Sequence, residues 1–336
     1  MPATAARMLL YNTTGEGTYG STTAATSKLH GVTDASLKIN SKTEVVPGVG
    51  WLGPSPTAAE MMQSGEGSMD MVATYEEMPR IFNGIFAAIG ASTSTSGAAP
   101  YNYPYTAPVT STQVCYTYTW EYGATGALYK ASGVVFNGLT IRGEVGDWWR
   151  ASVPALCKQV TAATGGFTTA ANVDRTVNPI KMSDTTLYVD AFSTGTIGGT
   201  SVAATLISFE LNFNPNRHLK TFAGSKYPNS WGEGKTEASL KMTAEFNASA
   251  KAYVDELLGS TGAEVRRQIR LGATQGSSAA QKTANLDFAG ILVDGATLFS
   301  DREGNITVDL TWQAQYSTGL ANHFAANFQN GSSSTT

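Results

Sequence analysis

Two glycine-rich segments have the spacing of a dinucleotide-binding fingerprint, in which glycines let the backbone approach a pyrophosphate. These segments are Gly15–Gly20 and Gly48–Gly53. The first lies in a stretch with little periodicity, and Pro54 and Pro56 follow the second, so neither segment opens a helix whose N-terminus would hold a phosphate. Because the chain contains 35 glycines, such spacings arise by chance, and we predict no cofactor.

Residues that bind metals or perform acid–base chemistry are scattered along the sequence. His30, His218 and His323 have no cysteine or second histidine at ligand spacing. Asp301–Asn305 is acidic, but it lacks the alternating oxygen ligands of a calcium loop and is interpreted as a hairpin turn. The sequence therefore predicts no catalytic residue and no metal site, and the protein is expected not to be an enzyme. A catalytic constellation that only the fold assembles is the alternative.

The two cysteines, Cys115 and Cys157, lie in segments with strand-like alternation. Two cysteines in a chain of 336 residues do not form a disulfide framework. Cysteine in a strand commonly packs as a small apolar side chain. We expect both to be free thiols that are buried or half-buried.

Composition limits the classes of function. Only 14% of the residues are charged and the net charge is −4, so the surface is easily desolvated in an assembly. The cationic trio Arg266, Arg267 and Arg270 is interpreted as a solvated strand face, and tight nucleic-acid binding is disfavoured. No apolar run has the length of a membrane helix, and residues 1–30 lack a signal-peptide pattern. We expect that the chain does not bind membranes and that it is synthesised in a cytoplasm.

The order of elements in the first half of the chain recurs in the second half. Residues 34–40 correspond to 208–214, with Leu37 on Leu211, and residues 69–75 correspond to 240–246. A gapless match then places Val134–Ile141 on Ile291–Leu298. Amphipathic helices are predicted over 80–89 and 248–258. The pattern divides the chain into five parts. They are an N-terminal arm (1–30), a first domain (31–160), a linker with one strand (161–202), a second domain (203–330) and a disordered tail (331–336).

Each half carries a long loop rich in proline, glycine and aromatic residues, at residues 41–67 and 215–234. Loops of this length in a compact domain are commonly functional or protruding. Aromatic residues on such a loop are suited to contact with a neighbouring subunit. The alternative is that Trp51 and Trp231 cover their own domain. The candidate contact residues are Pro47, Trp51, Pro54, Phe222, Tyr227 and Trp231.

The strands before the two helices have one apolar and one polar face. Met69 and Met71 alternate with Asp70, and Leu240 and Met242 alternate with Lys241. This alternation predicts sheets that pack a core on one side and present polar groups on the other.

The duplicated order of strand, long loop, strand, helix and late hairpin resembles the tail tube proteins of long-tailed bacteriophages. The matching segments quoted above carry the resemblance, over residues 30–160 and 203–330. It implies a mainly β fold, a β-sandwich or barrel with a flanking α-helix, and six such units in each ring. A duplicated chain would then form a homotrimeric ring with pseudo-sixfold symmetry.

The resemblance also implies roles, partners and a location. Rings would stack into a tube in the virion after assembly in the host cytoplasm, with a tail tip complex and a length-determining protein as partners. Double-stranded DNA would pass without sequence recognition, and a lining poor in lysine would avoid holding it. The candidate lumen-facing residues are Asp70, Thr74, Lys241, Thr243 and Glu245.

Two other classes compete with this hypothesis. One is a different assembled β protein, such as the tube of a contractile injection system, a head decoration protein or a surface-layer subunit. The other is a carbohydrate-binding or adhesion module, because exposed Tyr101, Tyr103 and Trp120 would suit stacking on sugars.

Overall fold

The computed structural model describes most of the chain, and β-strands dominate it, as predicted. The described residues are 8–21, 23–45, 58–87, 100–109, 115–124, 127–163, 175–192, 195–202, 205–258, 264–277, 280–295, 300–302 and 304–331. No helix in these segments is long and apolar enough to cross a membrane.

The first half contains ten strands and one helix within the described residues. They are β1 Met8–Tyr11, β2 Ser27–Lys28, β3 Val32–Val45, β4 Ala58–Val72, α1 Met78–Ile85, β5 Tyr101–Thr106, β6 Tyr118–Ala124, β7 Ala127–Phe136, β8 Leu139–Glu144, β9 Arg150–Cys157 and β10 Gln159–Ala162.

The second half begins with a 3₁₀ turn at Met182–Asp184. Its further described elements are β11 Thr185–Ala191, β12 Ser201–Val202, β13 Leu206–Asn214, β14 His218–Lys220, β15 Ser230–Gly232, β16 Glu237–Glu245, α2 Ala248–Leu258, β17 Arg266–Gln275, β18 Lys282–Gly295, β19 Ser300–Arg302, β20 Asn305–Ala314 and β21 Phe324–Asn330.

One antiparallel sheet runs through both halves of the chain. Its strands pair in the order β3, β4, β9, β8, β13, β16, β20 and β19. The step from the first half to the second is the pairing of β8 with β13, which extends from Leu139 opposite Phe213 to Glu144 opposite Ser208. The halves are therefore joined edge to edge by backbone hydrogen bonds.

The strands of this sheet, here called the continuous sheet, pair in the same register in the two halves. In the first half Gly67 of β4 lies opposite Leu37 and Ala155. In the second half Leu240 of β16 lies opposite Leu211 and Trp312.

A register shift repeats at the equivalent place in both halves. It lies between Val32 and Asp34 in β3 and between Leu206 and Ser208 in β13. An irregularity that recurs at a matched position is a specific structural feature, because bulges are retained where they aim or bend a strand.

These registers correct one detail of the sequence alignment. The predicted match of residues 69–75 with 240–246 is wrong by two residues, because the pairing sets Met69 on Met242. A two-residue slip keeps every side chain on its own face, so alternation alone does not detect it.

A second set of strands covers the core from the other side. In the first half they pair in the order β2, β1, β6, β7 and β10. In the second half the order is β12, β11, β17, β18, β21 and β5. The sequence does not predict strand β5, which links the halves by pairing with β21.

Two segments predicted as an arm and a linker are folded where they are described. Strand β1 pairs with β6 and buries Leu9 and Tyr11. Strand β11 pairs with β17 over seven residues, from Thr185 to Ala191. The predicted linker, residues 161–202, therefore contains in β11 an integral strand of the second half.

Helix α1 is predicted correctly in place but begins two residues earlier than expected. All eight of its residues are buried. Phe82 and Phe86 pack against aromatic rings from both halves, including Phe213 and Phe328 at ring-centroid distances of 4.6 and 4.8 Å. The core under the continuous sheet is thus shared between the two halves.

Candidate functional site

The continuous sheet has an apolar face that packs the core and a polar face that is open to solvent. In β4, Met69 and Met71 are buried while Asp70 is exposed. In β16, Leu240 and Met242 are buried while Lys241 is exposed. The predicted alternation is confirmed in both strands, and we name the solvent side of the sheet the polar face.

Rows of polar residues cross this face from one half to the other. Strand registers place the following residues in successive lateral contact: Asp34, Asp70, Ser152, Thr140, Asn212, Ser239 and Gln313. A neighbouring row contains Arg150, Arg142, Glu210, Lys241 and Thr311. Both rows pass through the β8–β13 junction without interruption by an apolar side chain.

Hydrogen bonds between side chains satisfy many groups within the polar face. Ser36 and Ser68 hydroxyls lie 2.8 Å apart. Thr140 donates to Asn212 Oδ1 at 2.7 Å across the junction, and Thr243 donates to Asp309 Oδ1 at 2.7 Å. Groups that already have partners offer less to a passing ligand.

Charges of both signs are interspersed on the polar face. Arg150 Nε donates to Asp147 Oδ2 at 2.9 Å, and this hydrogen bond lowers the pKa of the Asp147 carboxyl. Lys38 Nζ lies 3.5 Å from Glu66 Oε2. The described residues contain no group of histidine, cysteine, aspartate and glutamate suited to a metal ion.

The face is concave in two adjoining places. A depression of about 810 Å³ contains Glu144, Glu210, Lys241 and Asp309. A second depression, of about 580 Å³, contains Asp34 and Asp70, and both share Arg142 and Arg150. The surface is thus a shallow trough lined by polar groups rather than an enclosed pocket.

Four predicted lining residues lie on the polar face and one does not. Asp70, Lys241 and Glu245 are exposed and Thr243 is half-buried. Thr74 is only 1% exposed, and its hydroxyl accepts a hydrogen bond from the backbone N–H of Glu77 at 3.1 Å. The prediction for Thr74 is wrong because β4 ends at Val72, and alternation does not continue into the turn before α1.

The sequence predictions do not include Arg142, Glu210 or Thr140, which lie at the centre of the trough. Thr140, Arg142 and Glu144 alternate with buried Leu139 and Ile141, and this alternation indicates a polar strand face. The sequence does not indicate that β8 pairs with β13, which places these residues at the middle of one sheet.

A hairpin of β3 and β4 extends beyond the edge of β9. The last residue of β4 that pairs with β9 is Gly65, whereas the pairing of β3 with β4 continues to Val45 opposite Ala58. At about 3.4 Å per residue, the part of β3 from Ser41 to Val45 projects by roughly 17 Å. The described part of the predicted loop 41–67 is therefore an extended hairpin.

The hairpin exposes apolar side chains and rests against the second half on one side. Val45 is 61% exposed and Met61 is 56% exposed. The Gln63 N–H donates to the Lys226 carbonyl at 2.9 Å, and Lys226 Nζ lies 2.5 Å from Glu60 Oε2.

The aromatic residues predicted for the long loops have different environments. Phe222, between β14 and β15, is 59% exposed, and Tyr227 is half-buried. The Trp231 ring lies 5.0 Å from the guanidinium carbon of Arg217, so it packs on its own chain. The remaining predicted contact residues, Pro47, Trp51 and Pro54, lie outside the described residues.

Two further groups of sequence predictions have clear outcomes. Cys115 and Cys157 are free and buried, as expected. Tyr103 and Trp120 are also buried, which removes two of the three aromatic side chains on which a sugar-binding surface depended.

Comparison with protein families decides the identity. A family model described as phage tail tube protein matches residues 15–314, which include every strand of the continuous sheet. The chain belongs to the phage tail tube protein family. No curated protein matches it. Membership makes this tail tube protein a structural component of the phage tail.

Proposed function

We propose that this tail tube protein self-assembles into rings that stack into the tail tube, and that the polar face lines the lumen. The observation that carries the proposal is the continuous sheet, whose polar rows pass from one half to the other through β8 and β13. Repetition of that junction between chains would extend the same polar surface around a ring.

The two faces of the sheet differ enough to assign the lumen. The opposite face is buried beneath α1 and the second set of strands, so it is unavailable to any ligand. The polar face is open and concave, and the described residues of its two central rows include no large apolar side chain. A mixture of charges whose partners lie nearby would hold a DNA backbone weakly, because affinity for phosphates grows with the number of free cations.

The repeated register supports a tandem duplication and a threefold ring. Each half contributes four adjacent strands or their equivalents to the sheet, so three chains would supply six similar units. When the same contact between two different surface patches repeats from chain to chain, the assembly closes into a ring if the rotation per chain divides a full turn evenly.

The projecting hairpin and the exposed Phe222 are proposed to contact the adjacent ring. Exposed apolar side chains at the end of a protruding element are suited to burial in a protein interface. Assembly would take place in the host cytoplasm, with a tail tip complex and a length-determining protein as partners. Double-stranded DNA would then pass through the finished tube without sequence recognition.

The test is to purify the full chain and measure its mass by light scattering, with negative-stain electron microscopy of the same fraction. We expect rings or hollow rods built from multiples of three chains. A monodisperse monomer over a wide range of salt and protein concentration would overturn the proposal.

A further inference from the structure

The β8–β13 junction joins the two halves of one chain in a defined register. At this junction Arg142 lies opposite Glu210, Gly143 opposite Phe209 and Glu144 opposite Ser208. Strand β8 is the last strand of the first half's part of the sheet, and β13 is the first strand of the second half's part.

The two outer edges of the continuous sheet correspond to the two strands of the junction. Strand β3 is the first-half equivalent of β13, and within the described residues it pairs only with β4. Strand β19 occupies the place of β8, because it pairs with β20 as β8 pairs with β9. Within the described part of the chain, β19 pairs with no other strand. One chain therefore presents an equivalent of β13 at one edge and an equivalent of β8 at the other.

Pairing registers fix which residues are equivalent on the β13 side. Leu211 and Leu37 hold matching positions opposite Leu240 and Gly67, so Glu210 corresponds to Ser36. The shared register shift, before Ser208 and before Asp34, gives the same correspondence independently.

On the β8 side, Arg142 corresponds to Ser300. Arg142 lies opposite Arg150 of β9, and Ser300 lies opposite Thr307 of β20. Arg150 and Thr307 are equivalent because Ala155 and Trp312 occupy the same place in the two halves, five residues further along each strand.

We propose that β19 of one chain pairs antiparallel with β3 of the next chain, with Ser300 opposite Ser36. The inference rests on the proposed ring and specifies its partner, its two edges and its register. An unpaired strand edge readily accepts another strand, since its backbone N–H and C=O groups are ready to pair. Ser36 is exposed and lies on the polar face opposite Ser68, so the contact continues that face from chain to chain.

Cysteine cross-linking tests the register directly. Residues directly opposite in an antiparallel pair have Cα atoms about 4.5–5.5 Å apart, within the range a disulfide spans. Ser36→Cys and Ser300→Cys are placed in one chain, and assembled protein is oxidised and run on a non-reducing gel. We expect covalent dimers and trimers, with the disulfide-linked peptides that contain positions 36 and 300 identified by mass spectrometry.

Matched controls separate register from mere proximity. Lys38→Cys with Ser300→Cys keeps the same face but shifts the register by two residues, and should cross-link at least about tenfold less because its Cα atoms exceed disulfide range. Arg142→Cys with Glu210→Cys should cross-link within one chain and leave its mass on the gel unchanged. Mixing the two single variants S36C and S300C should give dimers only, which shows that the bond joins different chains.

Native thiols do not interfere with this experiment. Burial raises the pKa of the Cys157 thiol to about 12, and burial also raises the pKa of the Cys115 thiol. Each variant is first compared with the unmodified protein by circular dichroism and thermal unfolding, and the mixed single variants provide the second measurement if the double variant is unstable.

The outcomes distinguish this inference from the proposed function. Rings or tubes that form but cross-link equally in the shifted register, or not at all with Ser36→Cys and Ser300→Cys, would overturn the β19–β3 pairing and leave the tube proposal standing. Unmodified protein that never forms rings would overturn both.

Discussion

At the residue scale, Glu77 is a buried carboxylate with three basic neighbours. Its side chain is 0% exposed and lies 3.0 Å from Arg80 Nη1, 2.5 Å from Arg175 Nη2 and 3.4 Å from His30 Nδ1. Burial raises the pKa of Glu77, but the hydrogen bond with His30 and the charges of Arg80 and Arg175 outweigh it, so the pKa lies below its ordinary value of 4.5.

We expect Glu77→Gln to lower the free energy of unfolding by about 3–5 kcal/mol, because it leaves buried cations without a partner. The measurement is urea unfolding of the unassembled protein. Glu237→Gln, which changes an exposed carboxylate at the start of β16, should change the stability by less than about 0.5 kcal/mol. Equal effects of the two substitutions would contradict this account.

Glu77 also predicts a dependence of stability on pH. A carboxyl with a lowered pKa in the folded state binds fewer protons than in the unfolded state, so its contribution is complete above the unfolded value and is lost as pH falls through the folded pKa. We expect stability to decline below about pH 4.5, and Glu77→Gln to flatten that decline. Thermal unfolding of both proteins from about pH 7 down to about pH 3 measures the difference, and parallel curves would exclude Glu77 as the cause.

Arg217 joins the two halves by a set of contacts that no sequence motif indicates. From the second half it donates to the backbone carbonyls of Gly84, Ile85 and Phe136 at 2.7, 2.6 and 2.9 Å. Two of these carbonyls lie at the C-terminal end of α1, where a cation is favourable.

We expect Arg217→Ala to destabilise the protein by about 3 kcal/mol, because buried carbonyls lose charge-assisted hydrogen bonds. Arg217→Lys should recover only part of this loss, since one ammonium does not reproduce the planar fork of a guanidinium. Lys235→Ala, at an exposed position near the same loop, serves as control. Chemical unfolding measures all three, and full rescue by lysine would contradict the geometric argument.

At the scale of elements, the sequence predicts strands well where apolar and polar residues alternate regularly. It fails where only the pairing partner determines whether a segment is a strand or where that strand belongs. The faces of β4 and β16 and both helices followed from periodicity. Alternation identifies β11 as a strand but places it in a linker, because no local pattern indicates that Tyr188 lies opposite Arg270 of β17. The sequence does not identify β5 as a strand, because Pro104 and three tyrosines after a serine-rich stretch are typical of a loop and only pairing with β21 makes this segment a strand.

The projecting hairpin carries an element-scale prediction about stacking. Val45 and Met61 contribute little to the fold because they are exposed. We expect Val45→Ser with Met61→Ser to leave the unfolding temperature of the monomer unchanged while shortening tubes or limiting assembly to single rings. The cause is the loss of apolar area at the ring contact, at about 25 cal/mol per Å² buried.

Electron microscopy measures tube length for this variant. The matched control is Tyr129→Ser, which removes an aromatic side chain that is 50% exposed on β7 rather than on the hairpin. Normal tubes from the hairpin variant, or short tubes from the control, would contradict a stacking role for the hairpin.

At the scale of the whole molecule, the two halves form one body rather than two independent domains. The sheet passes through β8 and β13, Arg217 crosses from the second half to α1, and β5 crosses from the first half to β21. The repeat in the sequence predicts a linker at residues 161–202, but it does not indicate how many contacts join the halves on either side of it. Such contacts join residues far apart in the chain, and local patterns contain no information about them.

The electrostatics of the whole polar face give the last prediction. If this face lines the lumen, Asp70→Lys with Glu245→Lys should leave assembly intact but convert the lining into one that holds DNA, because each added cation increases phosphate affinity through counterion release. We expect assembled variant tubes to retain linear double-stranded DNA at about 50 mM salt and release it near about 200 mM, with unmodified tubes retaining little at either concentration. Sedimentation of tubes with labelled DNA measures retention. The control is Asp255→Lys, which adds the same charge per substitution at an exposed position of helix α2. If the control increases DNA binding equally, the DNA lies on the outside of the tube and the lumenal assignment is contradicted. If only the polar-face variant retains DNA, and that DNA is protected from added nuclease, this face must surround the DNA.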